Sequence, residues 1–161
     1  MNVIVGVADC HVTNDPANVL VTYALGSCVA IAIYDPVAGV GGLLHFMLPE
    51  GPAPDAPLGG KSPYMFADRG IPLLFREAYE KGAQKRRLWV SVAGGAQIMD
   101  DRGVFNIGKR NCLAMRKIFW KAGVIVKGEE TGGKSARTMR LEMGSGRVYL
   151  RSPEGPEERE L

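Results

Sequence analysis

Residues 29–48 read VAIAIYDPVAGVGGLLHFML, and this stretch decides the fold. Bulky β-branched residues alternate with alanines from Val29 to Ile33, which is the two-residue period of a β-strand. Segment 35–39, DPVAG, supplies turn-forming residues, and an apolar segment follows over 42–48. The stretch therefore predicts a β-hairpin.

The length and composition of the chain predict one globular domain. The chain has 161 residues, of which 46% are hydrophobic and 23% charged, with a formal net charge of +3. We expect this domain to span residues 1–151 and a disordered acidic tail to follow over 152–161. No apolar run approaches the ~20 residues that cross a bilayer, and the first ten residues, MNVIVGVADC, lack the pattern of a secretory signal. A cytoplasmic location is expected.

The other predicted elements mix strands and helices. Ser62 and Pro63 predict the start of a helix that is broken or kinked near Pro72 and ends at Gly82. A second helix is expected between a cap at Asn106 and a left-handed C-cap at Gly123. Further strands are predicted over 3–8, 19–23, 88–93, 124–130, 138–143 and 147–150. The fold class is therefore predicted as mixed α/β.

Several classes of function are disfavoured by the residue counts. The three cysteines, Cys10, Cys28 and Cys112, form no Cys-x-x-Cys pair and are too scattered for a disulfide scaffold. With two histidines in the chain, no four-ligand zinc site follows from the spacing, and no metal is expected. The basic cluster at 85–87 has no interleaved aromatic residues, so nucleic acid is not an expected partner.

The hairpin relates Cys28 to His45. Paired residues of an antiparallel ladder share a face, and their numbers add to a constant that the turn sets. A sum of 73 would put the two side chains opposite each other, about 4.5 to 5.5 Å apart at Cβ, and 75 would put them diagonally, about 7 to 8 Å apart. An even sum would separate them across the sheet. A turn centred on Val37 gives a sum near 74, which leaves the parity open.

A thiol beside an imidazole can carry nucleophilic chemistry. The thiolate attacks carbonyl carbons, a histidine takes the thiol proton, and a third group fixes the histidine tautomer. Thr22, six residues before Cys28, has a hydroxyl suited to the third position. The alternatives are structural: Cys28 as a small core residue, His45 as a satisfied core imidazole and Thr22 as an ordinary strand threonine. The residue types alone leave both interpretations open.

The combination of motifs resembles the CheD family of chemoreceptor glutamine deamidases. Residues 22–49 read TYALGSCVAIAIYDPVAGVGGLLHFMLP, and the resemblance continues in AGGAQIM (93–99), IGKRN (107–111) and TGGKSAR (131–137). It implies that Cys28 is the nucleophile, His45 the general base and Thr22 the third member of the catalytic set. The implied reaction hydrolyses selected glutamine side-chain amides of chemoreceptors to glutamate without a cofactor. Asparagine deamidation and methylesterase activity are also associated with the family.

The resemblance carries further expectations about fold, partners and site. It implies mixed β-sheets layered with helices, as in cysteine deamidase toxins, and a CheC-like phosphatase as a regulatory partner. Apart from the resemblance, we expect the turn of Gly26, Ser27 and Cys28 to support the site or to supply an oxyanion hole, since backbone N–H groups commonly stabilise developing negative charge. The Ser27 side chain could donate as well, although a serine before a strand is more often a turn former. Ala136 replaces a glycine of the family pattern, which would strain the backbone if that position needs a positive φ.

Two hypotheses compete with a deamidase. A non-catalytic regulatory module would bind receptors or a CheC-like phosphatase without turnover, but binding alone requires no nucleophile and base. A thiol redox sensor would need a resolving cysteine near Cys28, and the sequence places none beside it. The enzyme is therefore the favoured prediction.

Overall fold

The computed structural model describes residues 1–97, 105–153, 155 and 157–161. Within these residues the strands are β1 (Asn2–Ile4), β2 (Asp9–Thr13), β3 (Val19–Leu25), β4 (Val29–Asp35), β5 (Val40–Phe46), β6 (Trp89–Gly94), β7 (Gly128–Thr131), β8 (Arg137–Glu142), β9 (Arg147–Arg151) and β10 (Arg159–Glu160). The helices are α1 (Ala67–Glu80) and α2 (Ile107–Ala122), with 3₁₀ turns at Pro63–Met65 and Lys85–Arg87.

The strands form two five-stranded sheets in a three-layer arrangement. The first sheet has the order β1-β3-β8-β9-β10, and the second has the order β2-β5-β4-β6-β7. One apolar cluster lies between the sheets, and another lies between the second sheet and the two helices. The predicted mixed α/β class, with sheets layered against helices, is confirmed.

The central strand β4 is buried on both faces, and its sequence pattern reflects the two layers that it separates. Val29, Ile31 and Ile33 pack against the helices, whereas Ala30 and Ala32 face the first sheet. Small side chains on that face leave room for the long apolar side chains of β8, because protein interiors are close-packed. The alternation of large and small residues therefore sets the orientation of the strand.

The predicted hairpin of β4 and β5 is confirmed, and its register gives an odd sum. Ala30 pairs with His45, so paired residue numbers add to 75. The four-residue loop 36–39 is organised by Asp35, whose Oδ1 accepts hydrogen bonds from the backbone N–H of Val37 at 2.9 Å and of Ala38 at 3.0 Å. The turn is therefore centred between Val37 and Ala38.

The N-terminal segment differs from the predicted single strand over 3–8. The chain forms β1, which pairs with β3 in the first sheet, and then β2, which pairs with β5 in the second. Ala8, just before β2, has a left-handed backbone with φ 58. The strand prediction failed because the turn over 5–8 carries the chain from one sheet to the other.

The other strand predictions are mostly confirmed. Strands β3, β6, β8 and β9 lie at the predicted positions. The strand predicted over 124–130 is shorter and begins at Gly128. Its pairing with β6 is parallel and involves four residue pairs.

Helix α1 is continuous through Pro72, which corrects the predicted break there. Ser62 caps the 3₁₀ turn at Pro63–Met65 by accepting a hydrogen bond from Tyr64 N–H, and the interruption falls at Phe66, whose backbone is extended. Proline removes one N–H and crowds the carbonyl four residues earlier, which here belongs to Asp68. Asp68 is exposed in the first turn of the helix, so solvent can satisfy its carbonyl.

Helix α2 begins and ends where the sequence predicts. Asn106 takes the N-cap position, and Gly123 takes the C-cap position with a left-handed φ of 69. Neither α1 nor α2, in the described parts of the chain, is long and apolar enough to cross a membrane.

The tail predicted as disordered over 152–161 contains an ordered strand instead. β10 pairs antiparallel with β9, and the backbone N–H of Leu161 donates to Val148 at 2.9 Å. Arg140 binds Glu158 at 2.9 Å, and Arg159 forms an ion pair with Glu130. Acidic composition suggested solvation, but Glu158 pairs with an arginine of the domain, and Arg159 of the tail pairs with a glutamate of the domain. Residues 154 and 156 lie outside the described residues.

Candidate active site

Thr22 and His45 meet in the layer between the two sheets. Thr22 lies on β3 of the first sheet, and His45 lies on β5 of the second. Both residues are fully buried, and Oγ1 of Thr22 lies 2.7 Å from Nδ1 of His45. A direct hydrogen bond therefore joins the sheets at this point.

A second contact of Thr22 assigns the tautomer of His45. The Thr22 hydroxyl lies 2.7 Å from the carbonyl oxygen of Val5. A carbonyl only accepts and a hydroxyl has one hydrogen, so Thr22 donates to Val5 and accepts from Nδ1–H of His45. The lone pair therefore resides on Nε2. This nitrogen is buried and has no hydrogen-bond partner in the part of the chain that the structure describes.

An irregularity in β3 precedes the cysteine turn. The pairing of β3 with β8 shifts between Thr22 and Leu25, and Ala24 has a left-handed φ of 57. The backbone N–H of Gly26 then donates to the Ala24 carbonyl at 2.9 Å. Since a bulge bends its strand, this irregularity turns the chain from β3 in the first sheet towards β4 in the second.

Cys28 lies directly before β4, where the backbone at the end of β6 comes close to it. The Cys28 carbonyl accepts a hydrogen bond from Gly95 N–H at 2.8 Å, and the Gly26 carbonyl accepts one from Ala96 N–H at 2.8 Å. Gly94 has φ 113, and a Cβ on it would overlap the Cys28 carbonyl oxygen. The glycine pair 94–95 therefore permits this close backbone approach.

The register places Cys28 diagonally from His45 on one face of the second sheet. Ala30 pairs with His45, and Cys28 is two residues earlier on the same strand. Cys28 is partly exposed and packs against the inter-sheet cluster, whereas His45 is fully buried. No hydrogen bond joins Cys28 Sγ to His45 Nε2 among the described contacts. Catalytic hydrogen bonds are often long before substrate binds.

Burial favours the neutral forms of the Cys28 thiol and the His45 imidazole. It raises the pKa of the Cys28 thiol, although the backbone N–H of the same residue acts in the opposite direction. It lowers the pKa of His45 to about 4. A low-polarity environment disfavours the charged form of each group. The site therefore contains a thiol and a neutral imidazole rather than a preformed ion pair.

The predicted supporting residues Gly26 and Ser27 differ in what they can offer. The N–H of Gly26 is occupied by Ala24, which leaves the N–H groups of Ser27 and Cys28 without a backbone acceptor among the described residues. The Ser27 carbonyl accepts a hydrogen bond from Asn111. Gly26 is thus suited to support the turn. The N–H groups of Ser27 and Cys28 have no backbone acceptor among the described residues and so are available to a ligand.

Sequence reasoning missed Asn111 as a residue of the site. Its Nδ2 lies 2.9 Å from the Ser27 carbonyl and 2.8 Å from the Met47 carbonyl. The motif IGKRN contributed to the family resemblance, but nothing in it assigned Asn111 a contact. The contact depends on how α2 packs against the second sheet, which no local pattern reveals.

The other cysteines lie apart from this constellation. Cys112 is buried between α2 and the second sheet, on the opposite side of that sheet from His45. Cys10 is partly buried, and its Sγ lies 3.9 Å from Oε2 of Glu77. Burial raises the pKa of both thiols. In the described ranges, no three His, Cys, Asp or Glu side chains group closely enough to hold a metal ion.

The departure at Ala136 introduces no left-handed strain. The described non-glycine residues with positive φ are Ala8, Ala24 and Asn106. Arg137, which follows Ala136, donates to the Gly132 carbonyl at 2.8 Å and to the Gly94 carbonyl at 3.2 Å. The TGGKSAR segment is therefore held against the strand end that crosses Cys28. In AGGAQIM, residues 98 and 99 lie outside the described residues.

Comparisons with known proteins place the chain in a family. The family model described as CheD chemotactic sensory transduction matches residues 47–152. A protein of Solibacter usitatus, named Probable chemoreceptor glutamine deamidase CheD, is 56% identical over 92% of this chain and 87% of its own length. The chain belongs to the CheD family. Another CheD relative, Probable chemoreceptor glutamine deamidase CheD 1 of Syntrophus aciditrophicus, is 52% identical over 96% of both chains.

The family membership confirms the resemblance seen in the sequence motifs. The CheD model begins at Met47, two residues after His45, so its match does not include the three predicted catalytic residues. Among solved structures, the hypothetical protein YfiH of Bacillus licheniformis is similar, with a TM-score of 0.47 and 14% identity over 76% of this chain and 50% of that one.

Proposed function

We propose that this protein is a cysteine-dependent protein-glutamine deamidase that converts selected glutamines of chemoreceptors to glutamate. The observation that carries the proposal is the His45 imidazole, which Thr22 holds through Nδ1. Its Nε2 bears the lone pair, has no hydrogen-bond partner among the described residues and lies on the face shared with Cys28. The names of CheD relatives that are 56% and 52% identical support the substrate class.

The first half of the proposed reaction forms a thioester and releases ammonia. Sγ of Cys28 attacks the carboxamide carbon while His45 Nε2 takes the thiol proton, so the C–S bond forms as the S–H bond breaks. The carbonyl oxygen becomes an oxyanion. When it collapses, the C–N bond breaks and His45 gives its proton to the departing amide nitrogen.

The second half restores the enzyme. Water attacks the thioester carbon while His45 Nε2 takes a proton from it, and the C–S bond then breaks. The proton returns to the sulfur, and the product is a glutamate side chain. The net reaction consumes one amide and one water and yields one carboxylate and ammonium, so no cofactor is needed.

Thr22 and the cysteine turn have supporting roles in this scheme. Thr22 holds Nδ1–H, which keeps the basic nitrogen at Nε2 and stabilises the imidazolium that forms during attack. The N–H groups of Ser27 and Cys28 are the proposed oxyanion donors, since backbone amides near a nucleophile commonly serve this purpose. Gly26 supports the turn that presents them.

The proposed partners follow from family membership. The proposed substrate is the cytoplasmic region of a chemoreceptor, and a cytoplasmic location is proposed with it. A CheC-like phosphatase is the proposed regulator. Nucleic acid is not proposed as a partner.

Mass spectrometry of a receptor cytoplasmic fragment tests the proposal. The wild-type protein should add about one dalton at particular glutamines, the mass change of replacing an amide NH₂ by OH during hydrolysis at a cysteine site. Cys28→Ala should leave the fragment unchanged, whereas Cys112→Ala, which alters a thiol on the other side of the sheet, should retain the reaction. Binding of the fragment without deamidation by wild type would instead assign the non-catalytic regulatory module.

A further inference from the structure

The side chain of Asn111 bridges the two chain segments that carry the nucleophile and the base. One carbonyl that it binds belongs to Ser27, directly before Cys28, and the other belongs to Met47, two residues after His45. In the hairpin register, position 28 stands opposite position 47. Asn111 therefore bridges the two chain segments one residue position beyond the last paired residues of the β4–β5 hairpin.

The two hydrogen bonds use both hydrogens of the Asn111 amide. Their lengths of 2.9 Å and 2.8 Å are ordinary for N–H···O bonds, and Asn111 is fully buried. An amide nitrogen has two hydrogens in one plane, which suits it to hold two carbonyls at once. A hydroxyl could donate to only one of them.

The packing of α2 brings Asn111 to this position. Gly108, one turn earlier, lies so close to the end of β6 that a Cβ on it would overlap the carbonyl oxygens of Gly95 and Ala96. The N–H groups of these same two residues, which directly follow β6, donate the backbone hydrogen bonds that hold Cys28 and Gly26. The first turn of α2 thus approaches the cysteine turn directly.

The contact is kept at an energetic cost. Oδ1 of Asn111 is buried and has no hydrogen-bond partner in the described chain. An unpaired buried acceptor is destabilising, so an apolar residue would relieve this cost but would release the two carbonyls. The presence of asparagine at position 111 is therefore better explained by the two carbonyl groups that its Nδ2 binds than by a contribution of its burial to stability.

We propose that Asn111 is a positioning residue that fixes the Cys28 turn against the strand of His45. The proposal rests on the deamidase function proposed above. Catalysis between two groups depends steeply on their separation, and a displacement of ~1 Å can reduce a rate by roughly 100-fold. Asn111 acts through the backbone and touches neither the substrate nor the reacting atoms.

Steady-state kinetics on the receptor fragment test the role of Asn111. Asn111→Ala should lower kcat by roughly 100-fold with little change in KM, because the geometry of the reacting groups changes while the receptor contacts remain. Asn111→Asp, which has the same shape but does not donate when ionised, should behave similarly. Asn111→Ser keeps one donor and should give an intermediate kcat.

Met115→Ala is the matched control. Met115 lies one turn further along α2 and is equally buried, in the layer between the helices and the second sheet. The Met115→Ala variant should be less stable than wild type, but its folded fraction should keep the kcat of wild type. Equal losses of kcat in Met115→Ala and Asn111→Ala would overturn the proposal, since any weakening of α2 would then have the same effect.

Alkylation of Cys28 by iodoacetamide, measured by peptide mass spectrometry at a fixed pH, separates this inference from the proposed function. Release of the turn should expose the thiol, so Asn111→Ala should react faster than wild type while Met115→Ala does not. Unchanged alkylation in folded Asn111→Ala would overturn the positioning role. Absence of deamidation by wild type itself would refute the deamidase, whatever the alkylation rates.

Discussion

The Thr22 hydroxyl lies 2.7 Å from Nδ1 of His45 and 2.7 Å from the carbonyl oxygen of Val5. Because the carbonyl must receive the hydroxyl hydrogen, the histidine must supply the other. The first sheet thereby dictates which nitrogen of a second-sheet histidine is basic. The positions of both sheets, rather than either alone, determine the chemistry of this imidazole.

In the proposed mechanism, removal of the Thr22 hydroxyl should weaken catalysis without removing the proposed nucleophile, Cys28. Thr22→Val keeps the shape but leaves Nδ1–H of His45 and the Val5 carbonyl unpaired, which should cost about 1–3 kcal/mol of stability. We expect kcat for deamidation to fall roughly 100-fold, the lower range for a positioned acid–base group. Thr22→Ser, which keeps the hydroxyl, should retain most activity. Equal kinetics of the valine and serine variants would contradict this role.

The burial of His45 should make stability depend on pH. Its pKa is about 4 in the folded protein against an ordinary value of 6.5. The unfolded chain therefore binds a proton first as the pH falls, and stability that is fully present above pH 6.5 is lost towards pH 4. The loss should be about 3 kcal/mol in the free energy of unfolding.

Urea unfolding across this pH window measures the effect. His45→Gln should flatten the decline between pH 6.5 and pH 4, because the titrating group is gone. Cys28→Ala keeps the imidazole and should show the decline of wild type. A decline that persists unchanged in His45→Gln would assign the pH dependence to other groups.

Substitution of Gly94 should disturb the position of Cys28. In Gly94→Ala the new Cβ overlaps the Cys28 carbonyl oxygen, and the φ of 113 is unfavourable for alanine. The Cys28 backbone must shift, so we expect kcat to fall roughly 100-fold as well as a loss of stability.

Gly82→Ala is the control for backbone strain at Gly94. Gly82, just after the end of α1, has φ 107, but a Cβ there would meet no atom within 4 Å. This control substitution should lower the free energy of unfolding by about 1–3 kcal/mol, while kcat stays near that of wild type. Denaturant unfolding and receptor deamidation measure the two quantities separately. If both variants lost kcat equally, strain rather than the contact with Cys28 would be responsible.

Asp35 should stabilise the hairpin without affecting chemistry. Its buried carboxylate accepts hydrogen bonds from the backbone N–H of Val37, Ala38 and Gln84 and pairs with Arg87 at 2.8 Å. Asp35→Asn places an NH₂ group among these donors and leaves Arg87 without its partner. We expect the free energy of unfolding to fall by about 3–5 kcal/mol.

The activity of Asp35→Asn should be normal once the protein is folded. Asp35 and Cys28 lie at opposite ends of β4, roughly 20 Å apart at the rise of an extended strand. Kinetics below the unfolding temperature should give the kcat of wild type. A large loss of kcat in the folded variant would show that the far end of the hairpin influences the site.

The hairpin was predictable from sequence, but its register was not. Alternation in β4 and the residues of the turn are local features, and both predictions are confirmed. The sum of the paired residue numbers is even if the turn is centred on Val37 and odd if it is centred midway between Val37 and Ala38. Asp35 decides it by binding the N–H groups of Val37 and Ala38, a side-chain contact that residue spacing does not reveal.

Longer-range relationships escaped prediction for related reasons. The Thr22 hydroxyl was expected to hold the His45 ring, and the bond is observed, but the placement of the two residues on different sheets was not predicted, because local periodicity describes only one strand at a time. A break or kink is predicted near Pro72 because proline disrupts helix interiors, yet α1 continues through it and buries an apolar face that includes Ile71 and Leu74. The acidic composition of the tail predicts disorder, but ion pairs formed by Arg140 and Arg159 connect the tail to the domain.

The contrast between a buried His45 and a partly exposed Cys28 limits how protons can enter the site. Nε2 of His45 is buried without a hydrogen-bond partner among the described residues, so buffer molecules do not reach it directly. In the proposed reaction, the proton taken from Cys28 is therefore stored until ammonia departs rather than lost to solvent. The catalytic rate should accordingly not increase with buffer concentration at constant pH.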